Sequence, residues 1–299
     1  PDPDGGMAEP LTAPAASAPA LLATDHGILA WEQGPGLTRW ETADGRSLLR
    51  SDRSHAPLTL IHQLTPVSDR ARIGAVRGAM GLDRRGPDAV TTAATVAGGR
   101  LAADGPLWTE IELALDLEAC SDAHLALRVA RTTPRVDAAL RFHAPGRWDP
   151  ENWFVALPLT AGDGAELRLD RAGWPLCPWR DQVPGTLTDY YALQDGWTVT
   201  ASDFGVAVAM LDGHLLQLGP LAPGPRLLAG DPRLGDDPAE PYAWLMTNFW
   251  ETNFQAHLGG FHEFRFAVGW GRDLAAPEAA LAACRGLGHG LVAFRLRAP

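Results

Sequence analysis

Apolar and polar residues alternate along several stretches of the chain. Ile111, Leu113, Leu115 and Leu117 interleave with Glu110, Glu112, Ala114 and Asp116. Leu125, Leu127 and Val129 repeat the device, as do Val136, Ala138, Leu140 and Phe142. Successive side chains on a strand point to opposite faces. A period of two therefore predicts strands with one buried and one wetted face, the mark of an antiparallel sheet. Further strands are expected over residues 153–159, 166–170, 197–201, 206–211, 263–270 and 291–296. Turn-forming clusters such as Ala161-Gly162-Asp163-Gly164 and residues 231–238 lie between them. Helix signals are scarce. The clearest covers residues 277–285, with a proline near the first turn, an alanine-rich middle and Gly286 at the stop. Many short strands and one short C-terminal helix predict an all-β fold, a large antiparallel β-sandwich.

The first 23 residues are mostly Pro and Ala and show no strand pattern, which favours a linker or a disordered end. Residues 24–299 are expected to form the β-sandwich domain. Pro1 opens the chain and Met7 is its first methionine. A linker at the front implies either an attached upstream segment or a frayed end.

Composition narrows the partners. Of the 299 residues, 46% are hydrophobic and 20% charged, enough to bury a sizeable core. A net charge of −11 with scattered arginines argues against nucleic acid, which needs clustered Lys and Arg. Cys120, Cys177 and Cys284 are odd in number and far apart, so neither a disulfide framework nor a structural zinc site is suggested. A reducing, cytoplasmic location is the default expectation. No apolar run reaches the roughly 18 residues of a membrane span, and the N-terminus does not read as a secretory signal.

Three segments carry more specific information. Tyr242-Ala-Trp-Leu-Met-Thr-Asn-Phe-Trp-Glu-Thr-Asn-Phe254, continuing through Gly259-Gly260 to Phe264-Arg265-Phe266, is the first. Asp181-Gln-Val-Pro-Gly-Thr-Leu-Thr-Asp-Tyr-Tyr191 is the second, and Glu151-Asn-Trp-Phe-Val-Ala-Leu-Pro158 the third. In order and spacing they resemble the C-terminal β-sandwich region of family 38 glycoside hydrolases, the α-mannosidase type, with Leu157 replacing an expected aromatic residue. The resemblance implies a galactose-mutarotase-like supersandwich that packs against an N-terminal catalytic barrel. In that family the zinc ligands and both catalytic carboxylates lie upstream of this region. No catalytic residue or metal ligand is therefore expected here, no cofactor is expected in this chain, and zinc is implied for the missing catalytic domain. The chain is expected to be inactive alone. Its implied partners are carbohydrate and an N-terminal catalytic domain or chain.

The candidate glycan-contacting residues are Trp179, Asp181, Gln182, Asn248, Trp250, Glu251 and Asn253. Aromatic faces stack on pyranose rings, and amides and carboxylates bond sugar hydroxyls. Each also has a bland reading. Asp181 and Gln182, beside Pro184-Gly185, can equally satisfy loop backbone groups. The Asn248–Asn253 run can equally be a buried aromatic ladder whose amides bind backbone. Asp149 and Glu151, which share strand parity beside Trp148 and Trp153, are expected to form a solvated strand edge rather than an acid/base pair. His257 and His262 lack a third ligand and are expected to be structural or surface residues. Of the eleven tryptophans, Trp174 and Trp179 are the pair whose exposure matters most. Two other functions stay open: a free-standing carbohydrate-binding module, and an epimerase using a residue such as His143 with Glu263.

Overall fold

A computed structural model describes residues 16–66, 88–188, 190–222, 227–235, 240–248 and 256–289. Within them the expected sandwich is found. The strands are β1 (Leu21–Thr24), β2 (Gly27–Glu32), β3 (Gly36–Thr42), β4 (Leu60–Leu64), β5 (Val90–Ala93) and β6 (Thr95–Asp104). Next come β7 (Trp108–Asp116), β8 (Ser121–Ala130), β9 (Arg135–Ala144), β10 (Glu151–Ala156), β11 (Glu166–Arg171) and β12 (Trp174–Leu176). The last are β13 (Tyr190–Ala192), β14 (Gly196–Thr200), β15 (Gly205–Met210), β16 (Leu215–Leu218), β17 (Pro241–Thr247) and β18 (Gly260–Gly271). A 3-10 turn at Arg272–Leu274 leads into helix α1 (Pro277–His289).

Every pairing is antiparallel. One large sheet runs β12-β11-β14-β15-β18-β9-β8-β7-β6 and the other runs β13-β16-β17-β10-β4-β5, with β1-β2-β3 as a small third sheet. Alternation explains which faces meet. Ile111, Leu113, Leu125, Leu127, Val136, Leu140 and Phe142 from the larger sheet share one core with Leu60, Trp153, Val155, Leu216 and Ala243 from the smaller. Trp40 of β3 joins that core edge-on to Trp270 of β18, with ring centroids 6.0 Å apart. The smaller sheet is apolar on its other face too, where Ile61, Phe154, Tyr242 and Trp244 cluster. This explains why β10 is buried along its whole length instead of alternating; β15, in the larger sheet, is buried throughout because helix α1 covers its outer face at Ala207.

Two expectations change at their edges. The sheets begin with β1 at Leu21, and Ala18 and Leu22 are already buried, so the ordered fold starts before Thr24. Helix α1 runs through Gly286 to His289, because packing on the sheet outweighs the local preference of glycine to end a helix. The strand expected over 291–296 lies outside the described residues.

Helix α1 lies on the outer face of the larger sheet through Ala207, Leu274, Ala280 and Cys284. Arg285 reaches from it toward two carboxylates, 3.9 Å from Asp170 and 3.4 Å from Asp195. Burial pushes the Asp170 carboxyl above its ordinary value of 3.8. The Gly173 N–H and Arg285 oppose that shift, while Asp195 adds to it. A raised carboxyl pKa means that the folded state holds this proton more tightly than the unfolded chain does. Stability is therefore expected to fall as pH rises from 3.8 through the folded pKa. Asp170→Asn keeps an acceptor for Gly173 and is expected to remove that decline, read as the urea midpoint measured across the acidic range. An unchanged pH profile would show that Asp170 ionises without cost.

Candidate functional site

Four segments remote in sequence enclose an open cleft of about 1340 Å3: residues 46–52, 160–167, 177–180 and 230–235. The first two are joined by backbone bonds, Thr160 N–H to Leu48 O at 2.9 Å and Arg50 N–H to Pro158 O at 3.0 Å. Gly162 and Gly164, at φ of 111° and 67°, allow the 160–166 turn that most side chains would strain. Arg46 crosses between segments, donating to Ala161 O at 2.9 Å and pairing with Asp203 at 2.7 Å.

Trp179 stands on the cleft wall. Its φ of 47° is left-handed, a conformation that costs a bulky residue about 1–2 kcal/mol and persists only where surroundings enforce it. They do so here. The Trp179 N–H donates to Gln182 Oε1 at 2.6 Å, and its indole Nε1–H donates to Gly235 O at 3.0 Å. The indole thus ties two walls of the cleft together while its half-buried ring borders the opening.

Charge on the walls is mixed. Arg50 pairs with Asp52 at 2.9 Å, and Glu166 takes both Arg168 and Arg180. Arg233 holds the Asp231 carboxyl down at about 2, chiefly through its side-chain bond. Arg180 likewise keeps Glu166 below the usual carboxylate range, against the opposing effect of desolvation. Guanidinium groups only donate and carboxylates only accept, so together they complement hydroxyls, which do both. A cleft with interleaved donors and acceptors, no dominant charge and one indole suits a neutral polyhydroxylated ligand.

The candidate residues from the sequence fall in three places. Trp179 lines the cleft, and Asp181 and Gln182 sit directly behind it. Asp181 Oδ2 accepts the Cys177 N–H at 2.7 Å. Gln182 accepts from Trp179 N and from the Tyr191 hydroxyl at 2.7 Å, and donates to Leu187 O at 2.9 Å. Their present partners lie within the protein, and they hold Trp179 in place. Asn248 is distant in role. Buried at the end of β17, its Oδ1 accepts from Glu151 N at 2.7 Å and its Nδ2 donates to Asp149 O and Ala256 O. Trp250, Glu251 and Asn253 lie outside the described residues.

One expectation is overturned. Glu151 is not part of a solvated edge but is wholly buried, its Oε2 2.8 Å from His62 Nε2. Its parity with Trp153 turns it into the sandwich, and the β4–β10 register brings His62 opposite Trp153. Asp149 is half-buried. His257 Nδ1 accepts the Gly259 N–H, and His262 Nε2–H donates to Leu258 O. His143 is exposed and Glu263 pairs with Arg141, so the two do not form a cleft. Trp174 is 69% exposed, whereas Trp40, Trp153 and Trp197 are core residues. Among the described residues no three His, Cys, Asp or Glu converge to hold a metal ion, so a zinc ion finds no ligand set there.

Arg46, Arg50, Glu166 and Asp231 were not legible as site residues. Arg-x-Asp at 50–52 and Asp-x-Arg at 231–233 are visible in the chain, but nothing there shows that they face one cleft.

No known protein-family model matches the chain, and no curated protein is similar to it in sequence. Solved structures define the class as a β-sandwich with the fold of a segment of certain glycoside hydrolases. The chain is similar to an α-mannosidase from Enterococcus faecalis V583, with a TM-score of 0.56 at 9% identity. It is also similar to a glycosyl hydrolase family 38 protein from Enterococcus faecalis, with a TM-score of 0.55 at 8% identity. Each match covers 86% of this chain and 30% of the other. At such identities the shared property is the fold.

Proposed function

We propose that this chain is the C-terminal β-sandwich portion of a family 38, α-mannosidase-type glycoside hydrolase. In this reading it braces a catalytic domain that carries zinc and supplies loops to glycan binding. The observation that carries the reading is the superposition of 86% of the chain on about a third of two such structures. The three sequence segments resembling that family support it, as does a cleft whose walls match sugar hydroxyls. Trp148 and Phe261, 73% and 65% exposed, are the kind of apolar surface that a bracing interface covers.

The test is hydrolysis of p-nitrophenyl α-mannoside by the purified chain, with added zinc and with EDTA. No turnover is expected in either condition, and zinc-dependent turnover would overturn the reading. Glycan contact is tested separately by indole fluorescence during titration with mannose oligosaccharides. Trp179→Ala is expected to weaken binding by roughly tenfold, the scale of losing one aromatic contact. Equal affinity in the variant would remove the cleft from glycan binding.

A free-standing carbohydrate-binding module is the second reading, favoured by a cleft built entirely from this chain. It predicts tight glycan binding with no association with a catalytic domain. The leading reading predicts association, measurable by co-purification with a family 38 catalytic domain.

A further inference from the structure

A second cavity, of about 650 Å3, shares Ser51 with the larger cleft and is lined along the following residues by Arg53, Ser54 and His55. Its wall differs in character. Thr38, Ser51, Ser54 and Thr59 offer hydroxyls, and no described residue lining it is acidic, in a chain whose net charge is −11. Arg53 is also set apart from the arginines of the larger cleft. Arg46, Arg50 and Arg180 each hold a carboxylate, whereas Arg53 is half-buried and donates only to the backbone oxygen of Arg50, at 2.9 Å. No carboxylate among the described residues pairs with it.

We propose that this cavity binds an oxyanion, a carboxylate, sulfate or phosphate group, with Arg53 as the charged donor. A guanidinium offers several N–H groups in one plane and matches planar or tetrahedral oxyanions, so one without a carboxylate is a vacant fork. His55 and the hydroxyls supply neutral donors around it. Burial depresses the His55 pKa more than Glu240 raises it, which leaves Arg53 as the fixed positive charge. Glu240 is the opposing carboxylate. It is buried behind the loop, where its Oε2 accepts the Ser54 N–H at 2.8 Å, and it anchors the loop instead of lining the cavity. The oxyanion site stands whether or not the larger cleft binds glycan.

The experiment follows the Arg53 Nε–Hε and His55 resonances of the intact chain by NMR. Sodium sulfate and glucuronate are titrated against sodium chloride and mannose at matched ionic strength. Saturable shifts are expected with sulfate and glucuronate and absent with chloride and mannose. Tighter binding of glucuronate than of sulfate assigns the oxyanion to a sugar, and the reverse assigns it to a free ion. Arg53→Gln is expected to weaken binding at least about tenfold, the scale of a charge-assisted bond. Arg53→Lys retains part of it, and Arg39→Gln, which removes an arginine paired with Glu41 outside the cavity, binds as the parent does. Non-saturable shifts would overturn the site, as would a folded Arg53→Gln protein with parental affinity or equal weakening by Arg39→Gln.

Discussion

His62→Ala is expected to lower folding stability by about 3–5 kcal/mol, because it leaves the Glu151 carboxyl buried without a partner. Glu151 is fully enclosed, and its other oxygen, Oε1, already lacks a hydrogen bond. Among the described residues its single side-chain bond is therefore the one to His62, at 2.8 Å. The histidine ring also packs at a tilt against Trp153, at 4.4 Å between centroids, so truncation removes packing in the same step. Glu151→Gln keeps the shape without the charge and is expected to cost only about 1 kcal/mol. Changing both residues to leucine is expected to recover most of the loss, since a buried pair is often replaceable by apolar side chains. Guanidinium unfolding of the parent, the two single variants and the double-leucine variant measures each of these differences. A loss below about 1 kcal/mol for His62→Ala would show that the carboxyl finds water or another partner.

Gly205→Ala is expected to be nearly as damaging, at about 3 kcal/mol, the upper range for overpacking. A Cβ at this position would lie 1.9 Å from the carbonyl oxygen of Leu274. Leu274 ends the 3-10 turn through which the chain leaves β18 and crosses the start of β15 on its way to α1. The obstacle is backbone, so no rotamer change relieves it. Helix α1 must lift, and Cys284 on its sheet-facing side reports the movement. Burial pushes that thiol up to about 12, and the group lies against the Trp197 and Val208 carbonyls. Mass-spectrometric mapping of alkylation is expected to find Cys284 inert in the parent and labelled in the variant. Cys120 and Cys177, both half-buried, serve as internal references. A Cys284 that stays protected in Gly205→Ala would show that the turn shifts without the helix.

Alternation made β7, β8 and β9 readable residue by residue, because one of their faces is wet. Strands β10 and β15 were readable for the opposite reason, as short apolar runs buried on both sides. The three-residue strands β12 and β13 carry no period to detect. Strand β6 hides its pattern behind Gly98-Gly99, where the β6–β7 register shifts and a Cβ at Gly99 would meet the Trp31 ring. Glu151 was misread because polarity alone assigns a carboxylate to water. Only the register of β4 against β10, joining residues 89 apart, supplies its partner. The same limit governs the cleft. Trp179 stood out as an aromatic residue beside a turn, but Arg46, Glu166 and Asp231 become neighbours through topology that no local pattern encodes.

Strand β18 lies at the middle of the nine-stranded sheet, with β9 on one side and β15 on the other. Without it the sheet is two separate ribbons, β12-β11-β14-β15 and β9-β8-β7-β6. Its partner β9 ends more than a hundred residues earlier in the chain. During synthesis both ribbons therefore emerge before the strand that joins them, each with an open edge. Such edges invite pairing with other chains until they are filled. This protein is thus most vulnerable to misassembly in the interval before residues 260–271 leave the ribosome, and a nascent chain stalled short of them is an aggregation hazard, not a smaller stable domain.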